Sequence, residues 1–473
     1  MSGERGFQPR ITQIDTDEGN GILTAKNTKS AEIFFFEFDA FFAVKIPLSL
    51  CAFVSPWFHN VEFIRCGPRQ LSVPMKKHFN HFIFAGALLL TSNHARAEKH
   101  FVQDDFAIGL WVAPPATKDY YQDLAAANFN LVIGGNADLS KKFGLHTVAA
   151  VSGPMDQWPQ NSAVWGYMLV DEPGAGGFPD LAKQCEEIRR TKPGAFGYIN
   201  LLPNYAPASA LGTSNYDTYI AQFITTVKPE VLSMDSYPLM RPDGDSRANY
   251  RENLEQFRQH SAAAGIPFWN YFYAMPFNDH LDPTEAQIRW QIYTSIGFGA
   301  KGVMYFCYFT PGKGAKGAGE FPKGGAIITA EGLKTRHYDE ARRINAELKN
   351  LGPTLMKLTG TGAVLVNVKT NVSFPEGRAV RKLSNIPGDP PVDCLVGSFQ
   401  QPDGSKAVLL LNDSYSQTAW LTVDFAVDAS QVMEVSKADG KARPVVDDSP
   451  ELKGLQLSFG AGDGRLFLLP KGK

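Results

Sequence analysis

The sequence is poor in the residues that build metal centres and disulfide frameworks. Its 473 residues hold 5 cysteines, at 51, 66, 185, 307 and 394. They form no CxxC pair and no Cys/His spacing suited to zinc. Histidine is sparse as well, 9 in all, without an HExxH motif or a cluster. His146, His260, His280 and His337 are scattered and read as structural or surface residues. An excess of one charge is also missing. The formal net charge is −2, so no basic field directs the chain to nucleic acid or to an acidic membrane. No GxSxG elbow marks a serine hydrolase, and no dinucleotide fingerprint follows the first strand. The Phe-rich patch AEIFFFEFDAFFAVKIPLSLCAFVSPWF is broken by Glu37, Asp39 and Lys45. A membrane span needs about 20 nearly uncharged residues, so the patch is a poor one.

What is present begins with an export-like segment, MKKHFNHFIFAGALLLTSNHARAEKHF, starting at Met75. A basic start (Lys76, Lys77), an apolar run from Phe82 to Leu90 and Ala95-Arg96-Ala97 follow the order of a secretory signal peptide. Residues 75–97 are therefore read as a signal cleaved after Ala97, with a periplasmic or secreted product. Three widely spaced cysteines then remain, which is no disulfide framework. Residues 1–74 show no sustained period and are read as a spurious or disordered extension. A true N-terminal domain and a long leader are the competing readings.

From Phe106 onward, apolar runs alternate with helical patterns. The runs are FAIGLWVAP, NFNLVIGG, LHTVAAVSG, VWGYMLVDEP, GAFGYINLLP, EVLSMDSYPL, PFWNYFYAM and GAKGVMYFCYF. Continuous apolar runs followed by helices indicate parallel strands buried on both faces. About eight units over roughly 250 residues make a (β/α)8 barrel, expected over 104–357. Helical spacing places Leu181, Cys185 and Ile188 on one buried stripe, and Tyr250, Leu254 and Phe257 on another. Asp282-Pro283-Thr284-Glu285 reads as a helix start with Asp282 as the cap. The last barrel helix is expected to stop at Gly352-Pro353. The segment PGKGAKGAGEFPKGG has no Gly-Lys-Ser/Thr and reads as a mobile loop at the barrel mouth, not a P-loop. Past Leu358 the runs shorten and turn residues separate them. That pattern predicts an antiparallel β-sandwich over 360–473.

In a barrel of this kind the functional side chains stand at the C-terminal ends of strands. The fourth run ends in Asp171-Glu172-Pro173. Neighbours on a strand point to opposite faces, so both acids reach the mouth only if the chain bends there. A carboxyl partly desolvated at the mouth has a raised pKa and serves as a general acid. The sixth run ends with Asp235, with Tyr237 placed to orient it. The seventh has no carboxylate and offers Trp269, Asn270, Tyr271 and Tyr273; the eighth offers Tyr305 and Tyr308, and the first Trp111. Half of these belong to the core, and the rest would ring the mouth with flat faces suited to a sugar. Aromatics make up 12% of the chain. Glu320, in the glycine-rich loop, is a further acid.

The runs VWGYMLVDEP, VLSMDSYPL, IPFWNYF and TEAQIRWQIYTSIGFGAKGVMYFCYFTP together resemble barrel glycoside hydrolases of clan A, family-42-like β-galactosidases in particular. The closing GDGRLFLL resembles the sandwich that follows such barrels. The resemblance covers about residues 104–472. It implies an acid/base glutamate at the end of strand four, which is Glu172, with Asp171 in place of the usual asparagine. It also implies a nucleophilic glutamate at the end of strand seven, where this chain has Asn270 and Tyr271 instead. The Asp171-Glu172 pair is similar to that of substrate-assisted N-acetylhexosaminidase families, in which the Asp orients the substrate's acetamido group and the Glu protonates the leaving oxygen. Alternatively Asp235 is the second carboxylate. The expectation is an exported hydrolase of a β-glycosidic bond in an oligo- or polysaccharide, without metal or organic cofactor. Two other readings stay open: a non-catalytic sugar-binding barrel, and a polysaccharide lyase with Tyr271 or Tyr273 as base.

Overall fold

The computed structural model describes residues 100–240, 246–311, 325–386 and 388–471. The expected signal peptide at 75–97, the segment 1–74 and Glu320 lie outside the described residues.

Eight parallel strands carry the first half. They are β1 (Ala107–Leu110), β2 (Leu131–Gly135), β3 (His146–Ala150), β4 (Val164–Asp171), β5 (Phe196–Asn200), β6 (Leu232–Asp235), β7 (Phe268–Tyr273) and β8 (Gly302–Phe306). Each falls inside one of the eight apolar runs. The sheet runs β5-β4-β3-β2-β1-β8-β7-β6. It closes between β5 and β6 through a bridge at Leu201 and Met234, where the Leu201 N–H donates to the Ser233 carbonyl at 2.8 Å. The result is a (β/α)8 barrel.

Around it lie α1 (Lys118–Ala126), α2 (Ala137–Lys142), α3 (Phe178–Thr191), α4 (Ala208–Leu211), α5 (Tyr216–Val227), α6 (Arg247–Ala264), α7 (Glu285–Gly297) and α8 (Arg336–Leu355). The stripes Leu181/Cys185/Ile188 and Tyr250/Leu254/Phe257 are buried against the sheet. The connection from β3 to β4 holds only a single helical turn, Met155–Gln157. Gly153, Pro154 and Pro159 break any longer helix there.

The barrel interior is filled by Leu131, Ile133, Val148, Trp165, Phe196, Tyr198, Trp269 and Met304, among others. Trp269 is too large for this space unless a neighbour gives way. Gly302 does so: a Cβ there would lie 2.6 Å from the indole.

Two helix boundaries differ from expectation. The cap of α7 is Thr284, not Asp282. Thr284 and Gln287 form a reciprocal capping box. Asp282 is drawn off by stronger partners, His337 Nε2 at 2.9 Å and Arg336 at 2.8 Å. α8 does not stop at Gly352-Pro353 but runs through both to Leu355. Leu351, Gly352 and Leu355 are buried, with Gly352 against Phe106. Packing there outweighs the hydrogen bond that proline forfeits.

His337 joins this corner of the barrel. It is 2% exposed and its two ring nitrogens face Glu340 at 2.7 Å and Asp282 at 2.9 Å. Burial opposes its charge, but the two carboxylates outweigh burial and raise its pKa. A raised histidine stabilises the fold fully below the ordinary imidazole value of about 6.5. That stability is lost as pH climbs through the raised value. Thermal unfolding followed across that range should show the melting midpoint fall with rising pH. His337→Ala should remove this dependence and cost about 3 kcal/mol at pH 6. An unchanged pH slope in the variant would reject the assignment.

The second half is a sandwich. One sheet has four strands, β10 (Asn371–Ser373), β11 (Val380–Ser384), β14 (Ala419–Phe425) and β17 (Gln456–Phe459). The other has six: β9 (Thr359–Val368), β12 (Val392–Gln400), β13 (Lys406–Asn412), β15 (Met433–Val435), β16 (Ala442–Pro444) and β18 (Gly464–Leu468). Pairing within both is antiparallel. The six-stranded sheet lies on α7. Leu395, Phe399, Leu409 and Leu411 join the core cluster of the barrel helices. Gly397 lets the backbones meet, because a Cβ there would stand 2.5 Å from the Gly297 carbonyl oxygen. Asp413 accepts from the Trp290 indole at 2.8 Å and from Arg251 at 3.3 Å, which fixes the two halves to each other.

Candidate active site

The C-terminal mouth of the barrel holds a pocket of about 180 Å³ lined by Trp111, Asp171, Glu172, Asn200, Asp235, Tyr237, Tyr271, Phe277, Asn278 and Phe306. A larger cavity of about 790 Å³ lies at the opposite, N-terminal end. The carboxylate lining that cavity, Glu230, is held by Arg189 at 2.8 Å. Among the described residues lining it there is no second acid, whereas the mouth pocket gathers three.

Asp171 and Glu172 reach the same pocket because the chain bends between them. Glu172 has φ +51°, in the left-handed region. Its N–H still donates to the Asn200 carbonyl at 2.9 Å, keeping the strand edge paired. A left-handed non-glycine residue costs about 1–3 kcal/mol. Of the five such residues among the described ones, three sit at or beside this pocket: Val112, next to Trp111, Glu172 and Asn278. Strain is thus collected at the mouth.

Asn200, the last residue of β5, organises the acids. Its amide nitrogen donates to Asp171 Oδ1 at 3.1 Å and to Asp235 Oδ1 at 2.8 Å. Its carbonyl oxygen accepts from the Ser233 hydroxyl at 2.9 Å, which fixes the amide's orientation. Ser233, Tyr198 and Tyr271 continue a line of hydroxyls at 2.8 and 2.9 Å beneath the pocket. Asp235 lines the same pocket as Glu172, near enough for the Glu172 charge to act on it.

All three carboxyls titrate above their ordinary range. Asp171 and Glu172 keep access to solvent, but the walls still strip part of their hydration. For Asp171 that loss outweighs the Asn200 hydrogen bond. For Glu172 desolvation and the Asp171 charge raise the pKa against the opposing hydrogen bond from Asp235. Asp235 is the most enclosed, and desolvation with the charges of Glu172 and Asp171 raises it furthest, against the Asn200 donor. Three carboxyls this close do not all ionise together. The cluster therefore keeps at least one proton to higher pH than an isolated carboxylate would.

The acids occupy one side of the pocket, on β4 and β6 with Asn200 between them. The facing side is aromatic: Trp111 after β1 and Phe306 at the end of β8. Tyr271 stands edge-on to Trp111, ring centroids 5.6 Å apart. Tyr237 packs against Phe306 and Phe277 at 5.4 and 5.5 Å.

Of the side chains singled out from sequence, Asp171, Glu172, Asp235, Trp111, Tyr237 and Tyr271 come together here. Five do not. Trp269 fills the barrel interior and donates to Gln103 at 2.9 Å. Asn270 points into the helical layer, onto the Tyr250 and Ser295 hydroxyls. Tyr305 donates to Asn345 at 2.8 Å in the same layer. Tyr273 is buried behind Tyr237 and gives its proton to the Leu239 carbonyl at 2.7 Å. Tyr308 is fully buried against Phe129. These five are thus the share that belongs to the core, and as candidate substrate-binding residues they are corrected. Strand phase is the reason for Asn270 and Tyr305; Trp269 shares the phase of Tyr271 but sits deeper in the barrel, Tyr273 is covered by Tyr237, and Tyr308 lies past the end of β8. In β7 residues 269 and 271 point inward, and in β8 residues 304 and 306. Runs apolar on both faces carry no alternation from which to read this. Tyr237 was expected to orient Asp235, yet the donor on Asp235 is Asn200.

Asn200, Phe277, Asn278 and Phe306 were not singled out from sequence. Asn200 ends the fifth run, so the strand-end rule would have found it had amides been considered beside carboxylates. Phe306 needed the phase of β8. Phe277 and Asn278 lie in a loop without periodic signal.

No family model and no curated protein matches this chain. Among solved structures it is similar in fold to a GH42 β-galactosidase from G. stearothermophilus, at 8% identity and a TM-score of 0.47, covering 80% of this chain and 99% of that one. A β-galactosidase from Bacillus circulans sp. alkalophilus is similar at 9% identity and a TM-score of 0.44, covering 75% of this chain and 96% of that one. A β-galactosidase from the psychrophilic Marinomonas ef1 matches at 11% identity and a TM-score of 0.38, over 52% of this chain and 60% of its own. What these structures share with the chain is the fold.

Proposed function

We propose that this chain is a glycoside hydrolase in which Glu172 protonates the departing glycosidic oxygen. The observation that carries this reading is the left-handed turn at Glu172, which aims two consecutive carboxyls into one pocket. A carboxyl that keeps its proton at higher pH than usual is what a leaving alkoxide requires, and Glu172 is raised in this way. The aromatic side opposite suits the apolar face of a sugar ring. At about 180 Å³ the pocket is smaller than the roughly 300–1,000 Å³ that drug-sized ligands take. It fits about one ring, which favours removal of single terminal sugars.

The nucleophile is the second question. Two-carboxylate hydrolysis needs carboxyls about 5–5.5 Å apart for retention or about 6.5–9.5 Å for inversion. Here the three carboxyls line one side of the pocket, and the facing side, where a nucleophilic carboxylate would stand, is aromatic. The reading favoured is substrate assistance on a 2-acetamido sugar. The acetamido oxygen attacks the anomeric carbon, the bond to the leaving oxygen breaks, and Glu172 gives that oxygen its proton. Asp171, held as an acceptor by Asn200, takes the acetamido N–H hydrogen bond. Water then attacks the anomeric carbon and reopens the oxazolinium ring, with the Glu172 carboxylate taking its proton. Asp235, the most strongly raised of the three, stays protonated and attacks nothing.

The lyase reading loses support. Burial first, and the neighbouring Tyr198 and Asp171 charge, hold the Tyr271 hydroxyl far above the ordinary phenol range. Tyr273 spends its proton on a backbone carbonyl. A base needs the opposite.

Nitrophenyl β-glycosides test the proposal. Release from 2-acetamido-2-deoxyglucosides or galactosides should exceed release from the 2-hydroxy parents by at least about 100-fold. Equal turnover of both sinks substrate assistance. No turnover of any glycoside, with no sugar bound, sinks the hydrolase.

A further inference from the structure

Aromatic rings in this chain are nearly all withdrawn from water. Among the described residues two stand exposed: Trp420 on the sandwich, 37%, and Tyr205 on the barrel, 57%. Tyr205 sits in the loop after β5, shortly beyond Asn200. β5 is the neighbour of β4 in the barrel, so this loop rises beside Glu172.

The loop is held from several sides. Ala206 N–H closes a turn onto the Pro203 carbonyl at 3.1 Å. The Leu202 carbonyl accepts from the Tyr216 hydroxyl at 2.6 Å. Asn204 is tied to α6 twice: its N–H donates to Asn253 at 3.0 Å, and its side-chain oxygen accepts from Asn249 at 2.8 Å. Tyr205 is thus carried at the tip of a fixed turn. Its hydroxyl makes no hydrogen bond among the described residues. It lies near enough to Asp235 and Glu172 for both charges to act on it, in addition to the loss of hydration that raises its pKa first.

An exposed ring on a fixed loop beside an acid has an evident use. The pocket takes about one sugar ring. Glu172 protonates the bond between that ring and the next, so the next unit leaves the pocket past Glu172 and meets the loop after β5. We propose that the ring of Tyr205 is the platform on which the leaving-group sugar stacks, making it the residue by which the site prefers a disaccharide or longer chain to a single sugar. This rests on Glu172 being the general acid. A fixed aromatic face loses little freedom on stacking, so most of the contact energy appears as affinity.

Calorimetry on the catalytically disabled Glu172→Gln protein tests it, because binding is read without turnover. The probes are paired: N-acetylglucosamine with chitobiose, galactose with lactose, glucose with cellobiose. For the pair that binds, the disaccharide should be held more tightly than its monosaccharide. Adding Tyr205→Ala should cut that advantage about tenfold, and Tyr205→Phe should restore most of it, because the ring and not the hydroxyl does the stacking. An advantage unchanged by Tyr205→Ala overturns the platform and leaves the hydrolase standing. A folded Glu172→Gln protein that binds no member of any pair overturns the hydrolase reading, and the platform with it.

Discussion

Replacing Glu172 with glutamine is expected to lower kcat by about 10²–10⁴, the usual worth of a positioned general acid, while sugar binding persists. The loss should depend on the leaving group. A dinitrophenolate departs without a proton, so such a substrate should lose far less in Glu172→Gln than an alkyl glycoside or a disaccharide. A merely structural effect would lower both alike. The pH profile gives a second readout. Glu172 keeps its proton to higher pH because desolvation and the Asp171 charge raise it. Activity should therefore fall on the alkaline side as Glu172 loses that proton, at a pH above the ordinary carboxylate range of about 4. Asp171→Asn removes the like charge and should move this limb to lower pH. A wild-type limb near pH 4, or full turnover of natural-type glycosides by Glu172→Gln, would refute the assignment.

Asp171→Asn is expected to have the next largest effect. If the acetamido group is the nucleophile, the Asp171 carboxylate is the group that polarises it as positive charge develops. Removing one such electrostatic contact costs about 10²–10³ in rate. Asn keeps the size of the side chain and adds a donor, but it gives up the negative charge. Comparison with Asp235→Asn separates the mechanisms. Substrate assistance predicts that Asp171→Asn is the more damaging of the two on 2-acetamido substrates, with KM changed less than kcat. A displacement through Asp235 predicts the reverse order. Both variants should remain folded. Asp171 and Asp235 are raised carboxyls, so their ionised forms are disfavoured in the fold above the ordinary carboxylate pKa. Losing either charge should leave stability at neutral pH equal or slightly higher.

The position of each acid was legible for a simple reason. Strand ends in a (β/α)8 barrel are marked by where an apolar run gives way to polar residues, and Asp171-Glu172-Pro173 and Asp235-Ser236-Tyr237-Pro238 are such breaks. The aromatic lining was legible only in part. Tyr271 and Asn270 are adjacent in a run apolar on both faces, and one peptide unit of phase exchanges the pocket for the helical layer. The same holds for Tyr305 and Phe306. The cap of α7 shows a different limit. Asp282 fits a capping pattern by sequence distance, but His337 and Arg336, over fifty residues later, take its carboxylate and leave Thr284 to cap.

By itself, then, the order of residues determined the barrel, the sandwich that follows it, and the two strand ends that bear acids, because these depend on local period and on where periods break. The tertiary structure alone decided that Glu172 turns left-handed to bring Asp171 with it, that Asn200 binds Asp171 and Asp235 through one amide, and that Asp235 lines the same pocket as Glu172. Those facts depend on barrel closure between β5 and β6. It brings together three strand ends whose side-chain directions no local pattern records.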